Sequence, residues 1–242
     1  MDSRGLGLSP ASVSIVIPAL NEEYSIGKVL DGIPFDKLPE TEVIVVDNGS
    51  NDNTAKVALS RGAKVILEPR KGYGVATRTG LSIARGGIIV TMDADGGHWP
   101  GDVPKILQPV ATGSSLVAVG VRISSYPHGM KIRRFVGNVM LAKIFNGLYG
   151  GRMADVQCGF RAIHRKALDK LNLSQNGMQL TTELLIELKE KGISVATVRV
   201  RQIPTTTSHL REARDFAGHV GLMLKRFSSF RPVQREKLPD NQ

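Results

Sequence analysis

Short apolar runs alternate with amphipathic segments along much of the chain. Six runs are rich in β-branched residues and have the length of buried strands. They lie at 13–17, 42–46, 64–67, 87–92, 116–121 and 195–200. Helices are predicted between them at 25–30, 53–61, 74–84 and 102–110. Because alternating strands and helices require crossover connections, this pattern predicts an α/β fold with a doubly wound, mostly parallel sheet and helices on both faces.

The second half of the chain is predicted to be richer in helix. Three longer helices are expected at 130–149, 179–191 and 214–230. The segment 231–242 is polar and contains two prolines, which is typical of a tail. We therefore expect one folded domain over residues 1–230, followed by this tail.

The helices of the second half are amphipathic, so each of their apolar faces has two interpretations. The last helix carries a stripe with helical spacing: Phe216, Val220, Met223, Phe227 and Phe230. We expect Phe216 and Val220 to pack on the sheet, whereas packing and membrane contact are equally open for Phe227 and Phe230. The run 136–149, with Lys143 as its only charge, is the better candidate for a membrane surface.

Composition and charge limit the class of protein. The chain has 242 residues, a size suited to one α/β domain, and its single cysteine excludes an internal disulfide. Its net charge of +10 favours nucleic acid, acidic lipid or phosphorylated substrates as partners. Aromatic residues make up only 5%, which argues against a nucleic-acid-binding surface. No apolar run is long enough to span a membrane and residues 1–12 lack a secretory signal, so we expect a cytoplasmic protein.

Polar clusters follow three of the predicted strands. They occupy residues 18–22, 47–52 and 93–98. Ligands of doubly wound sheets bind beyond the carboxyl ends of the strands, so the three clusters are expected to form one site. In the third cluster, Asp93 and Asp95 flank one residue, and such a carboxylate pair can hold Mg²⁺ or Mn²⁺ together with substrate phosphates.

Each acidic candidate also has a purely structural interpretation. An isolated D-x-D triplet is often a turn or a helix cap, and only its position favours a metal site. Asp47 suits a nucleobase or ribose, or else a turn that supports Gly49. Glu22 suits ribose, or else caps the helix that begins near Ser25. Cys158 has no local feature of an activated thiol, so we expect a small packed side chain.

A glycine-rich segment, Lys71-Gly72-Tyr73-Gly74, opens the third predicted helix. Glycines permit close approach of the backbone, and a helix N-terminus suits an anionic group. The spacing matches neither the dinucleotide fingerprint nor the Walker pattern.

Taken together, the segments VSIVIPALNEE (13–23), VIVVDNGSNDNT (43–54), RKGYGVATRTGL (70–81) and VTMDADGGHWP (90–100) resemble family 2 glycosyltransferases with the GT-A fold. The segments GVR (120–122), RRFVGN (133–138), DVQCGFRAI (155–163) and SHLR (208–211) resemble, within that family, the dolichyl-phosphate or polyprenyl-phosphate mannose and glucose synthases. This resemblance implies a nucleotide-sugar half at about 13–112 and an acceptor half at about 113–230.

The resemblance also implies roles for individual residues. Nucleotide-sugar contacts are expected at Pro18, Ala19, Leu20, Glu22, Val45, Asp47, Lys71, Gly72 and Ala94. Asp93 and Asp95 are expected to hold the diphosphate and a Mn²⁺ or Mg²⁺ ion. The acceptor phosphate is expected to meet Arg122, Arg133, Arg134 and Arg211, of which Arg122 and Arg133 join the aspartate pair as catalytic residues. Glu183 stands where the family carries a glutamate below the site.

The chain departs from the family pattern at several positions. Asn48 replaces a second aspartate, and Gly97 replaces a glutamine that often ligates the metal, so water, the substrate or His98 is left to complete the metal's coordination. Gly137 replaces a serine near the acceptor phosphate, and Thr205–Thr207 stand where a basic residue is expected.

The implied activity is an inverting, metal-dependent transfer of a hexose to a polyprenyl phosphate. The expected place of this reaction is the cytoplasmic face of a membrane, to which the chain attaches peripherally. The resemblance alone favours GDP-mannose as the donor. The alternatives are a family 2 enzyme that uses a UDP-sugar or a soluble acceptor and, more distantly, a nucleotide-binding protein without catalysis or a nucleic-acid-binding protein.

Overall fold

The computed structural model describes residues 12–122, 132–205 and 212–230, without the side chains of 132–134 and 212. Its strands are β1 (Val13–Ala19), β2 (Thr41–Asp47), β3 (Lys64–Leu67), β4 (Ile88–Thr91), β5 (Val117–Arg122), β6 (Arg161–His164) and β7 (Val195–Val200). Its α-helices are α1 (Ile26–Asp31), α2 (Thr54–Ser60), α3 (Tyr73–Ile83), α4 (Val103–Ala111), α5 (Ile132–Tyr149), α6 (Arg165–Leu168), α7 (Leu180–Glu190) and α8 (Glu212–Phe227). Short 3₁₀ turns cover Phe35–Lys37 and Pro100–Asp102.

The seven strands form one sheet in the order β3-β2-β1-β4-β6-β5-β7. All neighbouring pairs are parallel except the two that involve β6. In the register of β1 with β2, Ala19 lies opposite Asp47, so these two strands end side by side. Because β6 runs in the opposite direction, its first residue lies at the edge where the parallel strands end. The carboxyl ends of β1, β2, β4 and β5 therefore share one edge with the start of β6.

Helices cover both faces of this sheet, as the alternating pattern predicts. On one face α1, α2 and α4 bury alternate strand residues such as Ile15, Val45 and Val90. On the other face α3 covers Val16 and neighbouring residues, while α5, α7 and α8 cover the β5 end of the sheet. This double burial explains why the strands are almost uniformly apolar rather than alternating.

Two elements differ from the predicted pattern. Strand β6 and the short helix α6 were not predicted. Strand β6 has only four residues, RAIH. Because a charged and a polar residue stand at its ends, its apolar centre is too short to be recognised as a strand from the sequence. It forms a strand because it lies between β4 and β5 and pairs with both of them. This position, which also buries Arg161, depends on the tertiary structure rather than on the local sequence.

The apolar stripe of α8 packs largely inward. Met223 is fully buried, and Phe216 and Val220 pack against the same cluster, which confirms the packing expected for the latter two. Phe227 is 41% exposed, yet its ring meets Tyr149 edge-on with the centroids 5.9 Å apart. The predicted tail lies outside the described residues.

Candidate active site

The loops after β1 and β2 are joined by a series of hydrogen bonds. The Asn21 N–H donates to Ser50 Oγ (2.9 Å), and the Glu22 N–H donates to Thr54 Oγ1 (2.7 Å). The Glu23 N–H donates to an oxygen of Asp52 (3.1 Å). The first two polar clusters therefore form a single rigid rim at the ligand edge, as expected from parallel neighbouring strands.

Glu22 and Asp47 are both buried within this rim. The Ser25 hydroxyl donates to Glu22 Oε2, and the Ser25 and Ile26 N–H groups donate to the Glu22 carbonyl oxygen. Asp47 Oδ1 accepts the Ser50 N–H at 2.9 Å. The turn role considered for Asp47 is thus present, and the Glu22 side chain receives the Ser25 hydroxyl at the start of α1. Their contacts with a nucleotide remain a proposal.

Other predicted nucleotide contacts lie partly in the core. Val45 is fully buried beneath the helices of one face, which contradicts the prediction that it touches the nucleotide. Ala19 and Ala94 are each 3% exposed, so little of either residue is open to a ligand. Leu20 and Lys71 are more accessible and border the ligand edge.

Asn48 holds the loop that leads to α3. Its amide nitrogen donates to the carbonyl oxygens of Glu68 (3.0 Å) and Arg70 (2.8 Å). Its amide oxygen accepts the Gly72 N–H at 2.7 Å. An ionised aspartate is an acceptor only and could not make the two donated bonds. The departure from the family pattern at this position therefore has a local structural reason.

The start of α3 is occupied by protein groups. The Asn176 carbonyl oxygen accepts the N–H groups of Gly74 (2.9 Å) and Val75 (3.3 Å). A Cβ on Gly74 would lie 2.2 Å from the Gln175 carbonyl oxygen, and one on Gly72 would lie 2.3 Å from that of Asn176. These glycines admit the 175–177 loop, which differs from the phosphate contact that the sequence suggested.

Asp93 follows β4 and lies against the polar side chains of Tyr73 and His98. The Tyr73 hydroxyl donates to Asp93 Oδ1 at 3.2 Å. His98 Nδ1 lies 3.6 Å from Asp93 Oδ2 and 3.5 Å from the Asp93 backbone nitrogen. The Asp93 side chain nevertheless keeps 30% of its surface exposed, so it can receive a ligand. Asp93 also attracts the positive charges of Arg122 and of the buried Arg161, so two cations lie near this carboxylate.

Asp95 faces a cavity beside the rim. Its Oδ1 accepts the Gly97 N–H at 2.8 Å, which fixes the turn after the aspartate pair. The cavity has a volume of about 620 Å³, within the range of small-molecule sites. Asn21, Glu22, Tyr24, Lys28, Asp95 and Trp99 are among its lining residues. The first and third polar clusters thus meet in one cleft, as the sequence predicts.

His98 links Asp93 to the single cysteine. Its Nε2 lies 3.6 Å from Cys158 Sγ, and its ring lies over Phe160 with the centroids 5.4 Å apart. Burial by itself lowers the pKa of His98, but Asp93 and Cys158 outweigh it and raise the pKa to about 9. A cation held by Asp93 would oppose this proton. Cys158 is fully buried, which agrees with a packed side chain rather than a nucleophile.

Arg122, at the end of β5, forms a buried two-pronged ion pair. Its Nε donates to Asp155 Oδ2 at 2.6 Å and its Nη2 donates to Asp155 Oδ1 at 2.9 Å. Burial opposes the charge of both groups. The attraction between them nevertheless raises the pKa of Arg122 and lowers the pKa of Asp155. Arg122 is therefore a fixed cation at the same edge as Asp93.

Three residues near the site had no assigned role in the sequence interpretation: Tyr73, Asp155 and Arg161. The first two contact Asp93 and Arg122, as described. Arg161 donates from Nε to the Cys158 carbonyl oxygen (2.8 Å) and from Nη2 to that of Val156 (3.4 Å). Burial lowers its pKa, against the opposing effect of nearby Tyr73 and Asp93. All three lie in segments that resemble the family, but only the folded chain shows their partners.

Several predicted acceptor residues lie beyond what the structure describes. Arg133 and Arg134 belong to the first turn of α5, but their side chains are outside the described set. Arg211 also lies outside it, as do Thr206 and Thr207. Among the four arginines expected at the acceptor phosphate, only Arg122 has a described side chain.

The donor set at the aspartate pair suits a hard divalent cation. Asp93 and Asp95 offer carboxylate oxygens, the ligands that Mg²⁺ and Mn²⁺ prefer, and both are accessible from the ligand edge. Within residues 12–122, 132–205 and 212–230 no three histidine, cysteine, aspartate or glutamate side chains cluster closely enough to hold a metal alone. A cation here would need ligands from a bound diphosphate and water, which is usual for Mg²⁺ at phosphate sites.

Comparison with known sequences gives a consistent family. A model described as Glycosyl transferase family 2 matches residues 14–171. The dolichyl-phosphate hexose transferase of Haloferax volcanii is 32% identical over 188 residues, with 78% of this chain and 81% of that protein covered. The UDP-N-acetylglucosamine–dolichyl-phosphate N-acetylglucosaminyltransferase of Methanococcus voltae is 33% identical over 224 residues, with 82% and 88% covered.

A third relative is considerably longer than this chain. The low-salt glycan biosynthesis hexosyltransferase Agl6 of Haloferax volcanii is 31% identical over 220 residues, covering 88% of this chain. The match covers 53% of that relative, so the chain spans about half of its length.

The fold also matches solved structures. Glucosyl-3-phosphoglycerate synthase from Mycobacterium tuberculosis, in complex with Mn²⁺, uridine diphosphate and phosphoglyceric acid, superposes with a TM-score of 0.75 at 26% identity. The superposition covers 91% of this chain and 80% of the other. The GT-A architecture expected from the motifs is thereby confirmed. With the family model matching most of the chain and glycosyltransferases among its relatives, the chain belongs to glycosyl transferase family 2 and is a hexosyltransferase.

Proposed function

We propose that this chain transfers a hexose from a nucleotide diphosphate sugar to a polyprenyl phosphate, with a divalent cation and with inversion at the anomeric carbon. One observation carries the proposal: the aspartate pair and the buried Arg122–Asp155 ion pair stand at the same edge of the sheet. The aspartate pair, which suits a metal ion and a diphosphate, therefore shares this edge with Arg122, a fixed positive charge that suits a second phosphate.

The donor half of the reaction is assigned to the rim after β1 and β2. Asp47 and Glu22 would accept hydrogen bonds from the base and ribose, with Pro18 and Leu20 beside them and Lys71 near the phosphates. Asp93 and Asp95 would hold the cation. When bound, that cation would neutralise the charge that develops on the departing diphosphate.

The acceptor half is assigned to the arginines. Two of the five Arg122 donors bind Asp155, which leaves the guanidinium charged and oriented while its other nitrogen can meet a phosphate oxygen. Arg133, Arg134 and Arg211 are proposed as further phosphate contacts. These groups would hold the acceptor against the donor and lower the repulsion between two anions.

The chemistry requires no strong general base. The second ionisation of a phosphate monoester lies near pH 6, so the acceptor is largely a dianion at neutral pH. Its oxygen would attack the anomeric carbon from the side opposite the diphosphate. A new carbon–oxygen bond forms as the bond to the diphosphate oxygen breaks, and that oxygen leaves with the electron pair. Direct displacement inverts the configuration.

Contact with a membrane surface is proposed for α5. Val136, Val139 and Met140 are 36–48% exposed and lie with the exposed Lys143 on one face of the helix. The net charge of +10 would attract anionic lipid. None of the helices in the described residues is long and apolar enough to cross a bilayer. The face of the membrane at which the chain acts is proposed as the cytoplasmic one.

The donor and the acceptor each have a competing candidate. The motifs favour GDP-mannose by resemblance alone, whereas the Methanococcus voltae relative is named for UDP-N-acetylglucosamine and the similar solved structure holds uridine diphosphate. That structure also holds phosphoglyceric acid, a soluble phosphorylated acceptor. A family 2 enzyme with a UDP-sugar donor and a soluble acceptor is therefore the second candidate function.

The test is a transfer assay with radiolabelled GDP-mannose, UDP-glucose and UDP-N-acetylglucosamine, each offered to a short polyprenyl phosphate or to 3-phosphoglycerate, with and without Mn²⁺. We expect transfer to the polyprenyl phosphate only, with one donor strongly preferred and with a requirement for Mn²⁺. The Asp95→Asn variant is expected to lose about 100-fold or more in kcat/KM, because it removes a charge that acts at the leaving group.

Asp36→Asn is the matched control, since Asp36 is exposed on the 3₁₀ turn after α1. Its kcat/KM is expected to equal that of the unaltered chain. Transfer to 3-phosphoglycerate alone would establish the second candidate. Unchanged turnover in Asp95→Asn would refute the metal-dependent mechanism.

A further inference from the structure

Asp93, Tyr73 and Gly159 fill one small space behind the aspartate pair. The Tyr73 hydroxyl donates to Asp93 Oδ1 at 3.2 Å. A Cβ placed on Gly159 would lie 2.6 Å from that same Oδ1 and 2.7 Å from the Tyr73 hydroxyl oxygen. Both distances are shorter than a real Cβ permits. Any side chain at position 159 would therefore have to displace the hydrogen bond between the other two residues.

Tyr73 and Gly159 are each held in place by a hydrogen bond from another part of the chain. Tyr73 is the first residue of α3, and the Asn176 carbonyl oxygen fixes the start of this helix through the Gly74 N–H. The Gly159 carbonyl oxygen accepts the hydroxyl of Thr91, at the end of β4, at 2.6 Å. The carboxylate of Asp93 thus meets a hydroxyl whose backbone is fixed at the start of α3.

We propose that Tyr73 is a positioning residue that fixes the rotation of the Asp93 carboxylate for the divalent cation, and that position 159 is glycine because this hydrogen bond needs its space. The inference rests on the proposed function, since it assumes that Asp93 holds a cation. It assigns a role to two residues outside the aspartate pair.

The physical argument is preorganisation. A carboxylate that rotates freely loses this rotational freedom when the metal binds, which costs free energy. When a phenol already holds one carboxylate oxygen, the remaining lone pairs of the carboxylate point in a fixed direction before the metal arrives. Residues that orient a metal ligand from behind change metal affinity by about 10–100-fold when removed. A phenol is protonated at neutral pH, so the Tyr73 hydroxyl can act as the donor in this hydrogen bond.

The experiment measures Mn²⁺ binding directly. Free Mn²⁺ is titrated by its electron paramagnetic resonance signal against the full chain, in the presence of whichever nucleoside diphosphate, UDP or GDP, binds more tightly. Tyr73→Phe is expected to raise the Kd for Mn²⁺ about tenfold. In the transfer assay the Mn²⁺ concentration for half-maximal activity should rise by the same factor, while kcat at saturating Mn²⁺ stays within about threefold of the unaltered value.

The matched control is Tyr149→Phe. The Tyr149 hydroxyl is also buried and donates to the Met223 carbonyl oxygen at 2.7 Å, but this hydrogen bond joins α5 to α8. This control should lower the melting temperature without changing the Kd for Mn²⁺. A fall in Mn²⁺ affinity equal to that of Tyr73→Phe would attribute the effect to general loosening and overturn the inference.

Gly159→Ala provides an independent second variant. The added methyl must push apart Tyr73 and Asp93, so a similar loss of Mn²⁺ affinity is expected. The combination of both substitutions should be less than additive, because each breaks the same hydrogen bond. Full additivity, or Mn²⁺ affinity unchanged in Tyr73→Phe, would refute the proposed positioning. If the unaltered chain with nucleotide bound no Mn²⁺, the metal site itself would fail, and this inference with it.

Discussion

Single residues at the ligand edge combine catalytic and structural demands. Arg122 is proposed to meet the acceptor phosphate, yet its orientation depends on Asp155, whose side chain is only 8% exposed. A buried ion pair contributes little net stability, but removal of one partner leaves the other charge without compensation. The pair is therefore better understood as a device that holds a cation in place than as a source of stability.

Replacement of Asp155 by asparagine tests this interpretation. The change removes the negative charge and one acceptor from the pair, so we expect the free energy of unfolding to fall by about 3 kcal/mol. The KM for the phosphate acceptor should rise, since Arg122 is no longer fixed. Chemical denaturation and acceptor titration measure the two effects. Asp169→Asn, at an exposed position, is the control, and wild-type stability together with wild-type acceptor KM in Asp155→Asn would contradict the prediction.

At the scale of elements, the connection before α7 supports the start of α3. Glu183 is fully buried in α7, and its carboxylate accepts the N–H groups of Ser174 and Gln175, each at 2.9 Å, together with the Ser174 hydroxyl at 2.6 Å. The next residue, Asn176, caps α3 through its carbonyl oxygen. The glutamate that the family resemblance placed below the site thus holds the loop whose next residue caps α3.

Glu183→Gln should weaken this support. The amide nitrogen that replaces one carboxylate oxygen cannot accept a hydrogen bond. At least one donor of the loop therefore loses its bond to a charged acceptor, at a cost of about 1.5–3 kcal/mol. We expect a lower melting temperature and faster hydrogen exchange at the amides of Gly74 and Val75. Glu40→Gln, at an exposed position before β2, serves as the control. Unchanged exchange at α3 in the variant would show that the loop does not depend on Glu183.

For the whole molecule, the two faces of the sheet present different surfaces. The α5 face exposes a stripe of apolar residues next to a lysine, whereas Leu59 on α2 is an exposed apolar residue on the other face of the sheet. Membrane contact is proposed for the face of the sheet that α5 covers. The prediction is that only one of these surfaces binds lipid.

Sedimentation with anionic liposomes compares the two surfaces. Met140→Glu is expected to weaken liposome binding about tenfold, because partial burial of such a side chain is worth on the order of 1–2 kcal/mol. Leu59→Glu introduces the same charge at a similarly exposed site and should bind like the unaltered chain. Equal loss in both variants would indicate an effect of net charge alone, and no loss in Met140→Glu would exclude α5 as the contact surface.

Local pattern was sufficient for most of the fold. Apolar runs bounded by turn residues predicted six of the seven strands, because buried parallel strands require continuous β-branched sequence. The same pattern placed the aspartate pair beyond a strand end, and parallel pairing then brought it to the edge shared with Glu22 and Asp47. Strand β6 escaped prediction because its four residues gain their pairing and burial only between two neighbours distant in sequence.

The tertiary structure decided which partner each side chain meets. The sequence contains Arg122 and Asp155 as separate members of two motifs, and their ion pair exists only because β5 and the segment before β6 reach the same edge. The fold likewise buries Val45 in the core, and it brings Tyr73 to Asp93 across twenty residues of chain. Strand pattern is a local property of the sequence, whereas hydrogen bonding between distant segments depends on the packing of the whole sheet.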